Sequence, residues 1–198
     1  MKKLLTLFLN LNNMKIATLL FIAIVSISSF GFAQTVTIGT QTWTTKNLDV
    51  DRFQNGDIIP QAKTAEEWNK ATKKGRPAWC YCDNNPINGV KYGKLYNWYA
   101  VTNPLGLCPV DWHAPSDSEW TELANYLGGD SIAGGELKEI GVSHWASPNT
   151  DATNSSGFTG LPGGHRYTSG SFSYLYSSGR FWTSGKNVDK AWIRSLGY

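Results

Sequence analysis

The chain has little net charge. Its 18 Lys and Arg stand against 15 Asp and Glu, a formal +3. Lys2, Lys3 and Lys15 account for that excess, so residues 34–198 balance to neutral. A neutral chain without a basic cluster gives no electrostatic reason to expect nucleic acid or an anionic membrane as partner. Long hydrophobic runs are also missing. The longest, Ile16 to Ile27 (IATLLFIAIVSI), falls short of the roughly 20 apolar residues that span a bilayer. Cysteine is scarce and odd in number: Cys80, Cys82 and Cys108. At least one thiol therefore has no partner within the chain, which excludes a disulfide-dense scaffold. No long internal repeat, low-complexity linker or cofactor motif is present, and no cofactor is expected.

The short apolar run has a reading of its own. Lys15 precedes it and SSFGFAQ follows, with Gly31 and Ala33 at the −3 and −1 positions of a cut. That pattern predicts a secretory signal peptide over residues 1–33, cleaved between Ala33 and Gln34. Met14-Lys15 would make a compact start, so residues 1–13 read as an over-long beginning. Position 34 is glutamine, which gives no support to a lipid-anchored form. After cleavage no stable membrane span is expected. The mature chain is predicted to be secreted or held in the cell envelope as a single domain, residues 34–198.

What is plentiful is aromatic: nine Trp and nine Tyr, alongside 20 Gly. All the tryptophans and tyrosines fall in residues 34–198, the composition of a β-rich domain with ordered loops. TVTIGTQTWTTKNL (35–48) reads as a hairpin. TAEEWNKATKKG (64–75) is a short helix, with a Thr64–Glu67 capping box and Gly75 as its stop. WCYCDNNPINGVKYG (79–93) begins as a strand and continues as a loop, because Asn-Pro and Asn-Gly are turn formers. KLYNWYAVTN (94–103) satisfies both the helical and the strand period. GGELKEIG (134–141) reads as a short strand or turn, HWASPNTDATNSSG (144–157) as a polar loop, and GFTGLPGGHR (157–166) as extended. SFSYLYSSGRFWTSG (171–185) alternates as a half-buried strand or hairpin.

CPVDWHAPSDSEWTEL (108–123) looks at first like chemistry, since it gathers a cysteine, a histidine and several carboxylates. The spacing says otherwise. Ser116 and Glu119 form a second capping box, and Asp117 adds charge where a helix dipole favours it. Trp120, Leu123 and Leu127 then mark one apolar face of a helix ending at Gly128-Gly129. His113, with no adjacent nucleophile, is expected to hydrogen-bond a loop backbone.

The cysteines admit more than one arrangement. A Cys80–Cys108 bridge would close a loop worth about 3–4 kcal/mol. If WCYC is extended, Cys80 and Cys82 share a face and compete for Cys108. Metal binding by the same three lacks a fourth ligand at useful spacing, and no metal site is assigned.

Taken in order, TVTIGTQTWTTKNL, YGKLYNWYAV, GLCPVDWHAPSDSEW, HWASPNTDATNSSGFTGLPGGHR, GRFWTSG and AWIRSL resemble the Fibrobacter succinogenes major paralogous domain family. The resemblance spans nearly all of residues 34–198. It implies an exported bacterial module of α+β class with a C-type-lectin-like fold: small twisted antiparallel sheets, two short helices and long ordered loops. The wider superfamily includes formylglycine-generating enzymes, but no catalytic residue carries over. Family members run past AWIRSL into a last strand bearing a cysteine, so this chain reads as truncated at its C-terminus. Cys82 is additional to the family pattern, which leaves the pairing of Cys80 with Cys108 open.

The function expected is a non-catalytic binding module for a glycan or protein at the cell surface. Tyr174, Tyr176, Arg180 and Trp182 are the ligand-binding candidates, because exposed aromatics stack on sugar rings or anchor partners. For Trp182 the competing reading is core. The alternative function is an enzyme, either formylglycine-generating-enzyme-like or hydrolytic. His144 and His165, flanking the polar loop, are the residues that would have to meet. DNNPIN (83–88) and NTDATN (149–154) are rich in oxygen ligands but lack the spacing of a calcium loop. The Glu-Pro-Asn and Gln-Pro-Asp triplets of calcium-dependent sugar binding are absent.

Overall fold

The computed structural model describes residues 34–187 and 190–198. The expected leader, residues 1–33, lies outside the described residues. Two strands open the domain, β1 (Thr35–Ile38) and β2 (Gln41–Thr44), paired antiparallel from Thr35↔Thr44 to Ile38↔Gln41. Helix α1 (Ala65–Lys73) follows, with the predicted capping box in place at Thr64 and Glu67. Strand β3 (Trp79–Cys80) pairs with β4 (Leu95–Tyr96).

Between these strands the loop expectation fails. Cys82–Asn84 form a single 3-10 turn, and Pro86–Tyr92 form helix α2. Asn85 accepts from the Ile87 amide as N-cap and Pro86 occupies the first turn, where a missing N–H costs nothing. The Asn-Pro pair starts a helix here rather than a turn. WCYC is likewise not extended throughout, since the strand stops at Cys80.

The ambiguous segment resolves into both of its options, β4 and then helix α3 (Trp98–Val101), capped by Asn97. Helix α4 (Asp117–Tyr126) starts at the Ser116–Glu119 capping box as expected. Trp120, Leu123 and Leu127 are all buried. The stretch 134–141, expected as a short strand or turn, instead begins inside helix α5 (Asp130–Leu137), so the described residues hold five α-helices where two were expected. Its interior Gly134 and Gly135 hid it, since glycine is a poor helix former. Gly135 is nonetheless required, because a Cβ there would lie 2.3 Å from the Asp151 carbonyl oxygen.

The largest sheet has four strands in the order β6-β5-β7-β8: β5 (Gly163–Arg166), β6 (Phe172–Leu175), β7 (Ser178–Asn187) and β8 (Lys190–Gly197). The stretch expected as a strand or hairpin forms two strands, and β6 and β7, adjacent in sequence, do not pair with each other. They flank β5, antiparallel on one side and parallel on the other through Gly164↔Gly179. The fold is thus mixed α/β with small sheets, and not every pairing is antiparallel.

Three buried clusters fill the interior. One joins α4 and α5 to the hairpin and to Trp145, Phe158 and Leu196. A second is built on Phe53, Ile59, Trp79, Tyr96, Ala100 and Leu107. The third holds Ala62, Trp68, Ala78 and Cys80. Residues 144–157 carry neither helix nor strand, as the sequence predicts. They are anchored instead by the fully buried Trp145, whose indole N–H donates to the Gly160 carbonyl at 3.0 Å. Among the described residues no helix is long and apolar enough to cross a membrane.

Candidate functional site

Strand alternation sends neighbouring side chains of β5 to opposite sides. Arg166 goes inward and is buried. Its Nε donates to the Gly170 carbonyl at 2.9 Å and its Nη1 to the Ala62 carbonyl at 3.0 Å. Its guanidinium packs over Phe172 and Trp68, 4.4 and 5.1 Å from the ring centroids. His165 takes the other side, where the parallel register with β7 sets it beside Arg180.

There the polar groups are poorly satisfied. The Arg180 Nη1 lies 3.4 Å from the His165 Nε2, the outer limit of a hydrogen bond. His165 Nδ1 and Arg180 Nε are both buried and have no hydrogen-bond partner. Each orphaned group costs about 1–3 kcal/mol. Burial, followed by the Arg180 charge, holds the His165 imidazolium below its ordinary pKa of 6.5. Tyr174 stacks on His165 with centroids 5.4 Å apart and planes at 18°. The Arg180 guanidinium covers Tyr174 at 5.2 Å, and Tyr167 meets the imidazole edge-on at 4.5 Å. The two tyrosines are 49% and 44% exposed, so the cluster is an open platform on a sheet.

The backbone under this platform is strained. Tyr174 and Tyr176 have φ of 63° and 69°, a region that costs a non-glycine residue about 1–3 kcal/mol. Gly164 makes the approach of β6 possible. A Cβ there would sit 2.6 Å from the Ser173 carbonyl oxygen and 2.8 Å from the Leu175 amide.

The four sequence-derived candidates therefore separate. Tyr174 and Arg180 come together. Trp182 is half-buried, its indole N–H donating to the Tyr96 carbonyl at 2.8 Å and its ring 5.6 Å from Trp98; this fits its core reading. Tyr176 is exposed but leans on Tyr92, with centroids 6.5 Å apart. His165 and Tyr167 were missed as platform members. Nothing local marks them, because a nonlocal parallel pairing brings β5 to β7.

His144 and His165 have different partners. The His144 Nδ1 meets both Glu139 carboxylate oxygens at 2.9 and 3.0 Å, and its ring contacts Tyr92 at 5.8 Å. Tyr92 is pushed up to about 12, first by burial and then by Tyr176 and Glu139. His113 also departs from expectation. Its Nε2 bonds the Glu119 carboxylate at 2.8 Å rather than a loop backbone. Glu119 is held below its ordinary value, chiefly by accepting from the Ser116 amide.

The Cys80–Cys108 bridge is not formed, and all three cysteines are free thiols. Cys80 is enclosed with Ala62, Trp68 and Ala78, whereas Cys108 lies half-buried in the loop before α4. Burial raises each thiol, Cys80 to about 11 and Cys82 to about 12, which leaves them protonated and unreactive at neutral pH.

Two open depressions mark the described surface. One of about 390 Å³ is lined by residues such as Glu136, Asp151 and Thr153. The other, of about 310 Å³, lies between Gly39, Glu122 and Tyr126. Neither holds a histidine or a thiol. Among the described residues, no three His, Cys, Asp or Glu side chains gather as metal ligands would.

Fold and surface together describe a mixed α/β domain of small sheets that carries an exposed aromatic and cationic platform on its largest sheet. The chain belongs to the Fibrobacter succinogenes major domain family, whose profile matches residues 36–197. A search of curated proteins finds no match, and neither does a search of solved structures.

Proposed function

We propose that the protein is an exported, non-catalytic binding module, and that Tyr174, Arg180, His165 and Tyr167 form its recognition platform. The C-type-lectin-like reading of the fold and delivery to the cell surface or medium are part of the same proposal. One observation carries it: exposed rings and a guanidinium with spare donors are held on a strained, sheet-borne backbone. Unspent hydrogen-bonding capacity at a rigid surface is what a binding site offers to a ligand, and strain gathers at such sites. Aromatic rings at this exposure stack on sugar rings or anchor a protein partner.

The test is a glycan and protein array probed with the purified protein and with Tyr174→Ala. Retained ligands that disappear with Tyr174→Ala support the platform. A folded protein that retains nothing, or a ligand indifferent to Tyr174, refutes it.

A second reading, catalysis, has one observation in its favour. Glu139 orients His144 through Nδ1, and among the described residues the His144 Nε2 has no hydrogen-bond partner. That is the posture of a general base. An activity that vanishes with His144→Gln and survives Arg180→Gln would replace the binding reading with this one.

A further inference from the structure

Arg180 is, among the described residues, a cation without a counter-ion. Among the described residues, the four pairings of basic and acidic side chains within 4.0 Å involve Lys94, His113, His144 and Arg194, and Arg180 is not among them. Its hydrogen-bond contact among the described residues is the marginal one to His165, and its buried Nε finds no acceptor. The guanidinium fork is planar and suits a carboxylate, which accepts two parallel N–H bonds. Beside it the Tyr174 and Tyr167 rings are open for a flat, ring-shaped body.

We infer that this platform selects acidic sugars, a uronate residue laying its ring on Tyr174 and its carboxylate on the Arg180 fork. The inference rests on the binding-module reading and narrows its ligand class. Carboxylate and ring must arrive together. An isolated anion would use the arginine alone, and a neutral sugar the tyrosines alone. Nε is buried, so the carboxylate seats on the Nη1–Nη2 edge, which requires Arg180 to give up its 3.4 Å contact with His165, a contact already at the limit of bonding. The chain's balanced charge gives no diffuse attraction for polyanions, so selectivity would come from this one fork.

The experiment compares galacturonotriose with galactotriose, which differ by the C6 carboxylate, in calorimetric titrations of the purified protein. Galacturonotriose is expected to bind about 10- to 100-fold more tightly, the range for hydrogen bonds to a charged group, and the preference should shrink as salt is added. Arg180→Gln should erase the preference. Arg180→Lys, which keeps the charge and loses the fork, should retain only part of it. Tyr174→Ala should weaken both sugars. Thermal melts of each variant establish that it is folded.

Equal binding of the two sugars, with both lost in Tyr174→Ala, would overturn the acidic preference and leave the binding module standing. A preference that survives Arg180→Gln would also overturn it. Arg180-dependent capture of acidic peptides without galacturonotriose would overturn it in favour of a protein partner. Silence from both sugars and from the arrays would sink this inference and the module reading together.

Discussion

Arg166 and Arg180 lie on neighbouring strands of one sheet and are treated in opposite ways. Arg166 is buried, and its donors reach Gly170, Ala62 and Asn84. Arg180 is half-buried, with one marginal contact and an orphaned Nε. Near Arg166 the sheet is sealed by α1 through Trp68. Near Arg180 it carries His165 and the half-exposed Tyr174 and Tyr167. A buried guanidinium is tolerated when its buried donors are matched. One left unmatched at the surface keeps binding capacity in reserve. The contrast separates scaffold from site within a single sheet.

The largest effect should come from breaking the sealed side. Arg166→Ala leaves the Gly170 and Ala62 carbonyls without their donor and opens a gap beneath Trp68. A loss of about 3–5 kcal/mol is expected, from two carbonyls left without a donor and the packing lost against Trp68 and Phe172, read from urea unfolding. A loss below about 1 kcal/mol would mean that Arg166 is as idle as Arg180. A smaller effect is expected at the start of α4. Ser116→Ala removes the cap on Glu119 N and should cost about 1 kcal/mol, because Glu119 keeps its bond to the Ser116 amide.

The smallest effect belongs to the open side and sharpens the contrast. Arg180→Gln removes an unmatched donor rather than a contact, so at pH 7 it should not lower stability and should raise it by less than about 1 kcal/mol. His165 then gives a pH signature. Its folded-state pKa is lowered below the ordinary 6.5 by burial first and Arg180 second. Folding therefore favours the neutral imidazole, and that contribution is complete above pH 6.5. It is lost as pH falls through the depressed folded value. Melting temperature should drop between pH 7 and pH 5, less steeply in Arg180→Gln, and part of the slope should persist because burial remains. An unchanged slope in that variant would deny the coupling between His165 and Arg180.

How much of this could be read from the chain follows the range of each interaction. Both capping boxes were legible, since a cap is settled within four residues. So was the β1–β2 hairpin. Helix α2 was not, because Asn85-Pro86 carries turn and helix-start signals alike and only the fold chooses between them. Helix α5 was hidden by its glycines, one of which serves a contact with Asp151. The platform was half visible. Tyr174 shows by alternation and Arg180 by its place beside the aromatic run, but His165 joins them only through the Gly164↔Gly179 register, which no local pattern encodes. The cysteines misled because pairing was inferred from compartment and count, while the fold gives Cys80 and Cys108 different surroundings.

Lys138 reaches across the molecule. Its ammonium, buried, donates to the Thr150 carbonyl at 2.7 Å and the Gly197 carbonyl at 2.9 Å, and lies 5.5 Å from the Trp145 ring centre. One cation thus fastens the end of β8 to a segment with no repeating hydrogen bonds of its own. Amide protons at these two distant places should accordingly exchange with solvent in a single concerted opening, the irregular stretch borrowing the lifetime of the strand to which it is tied.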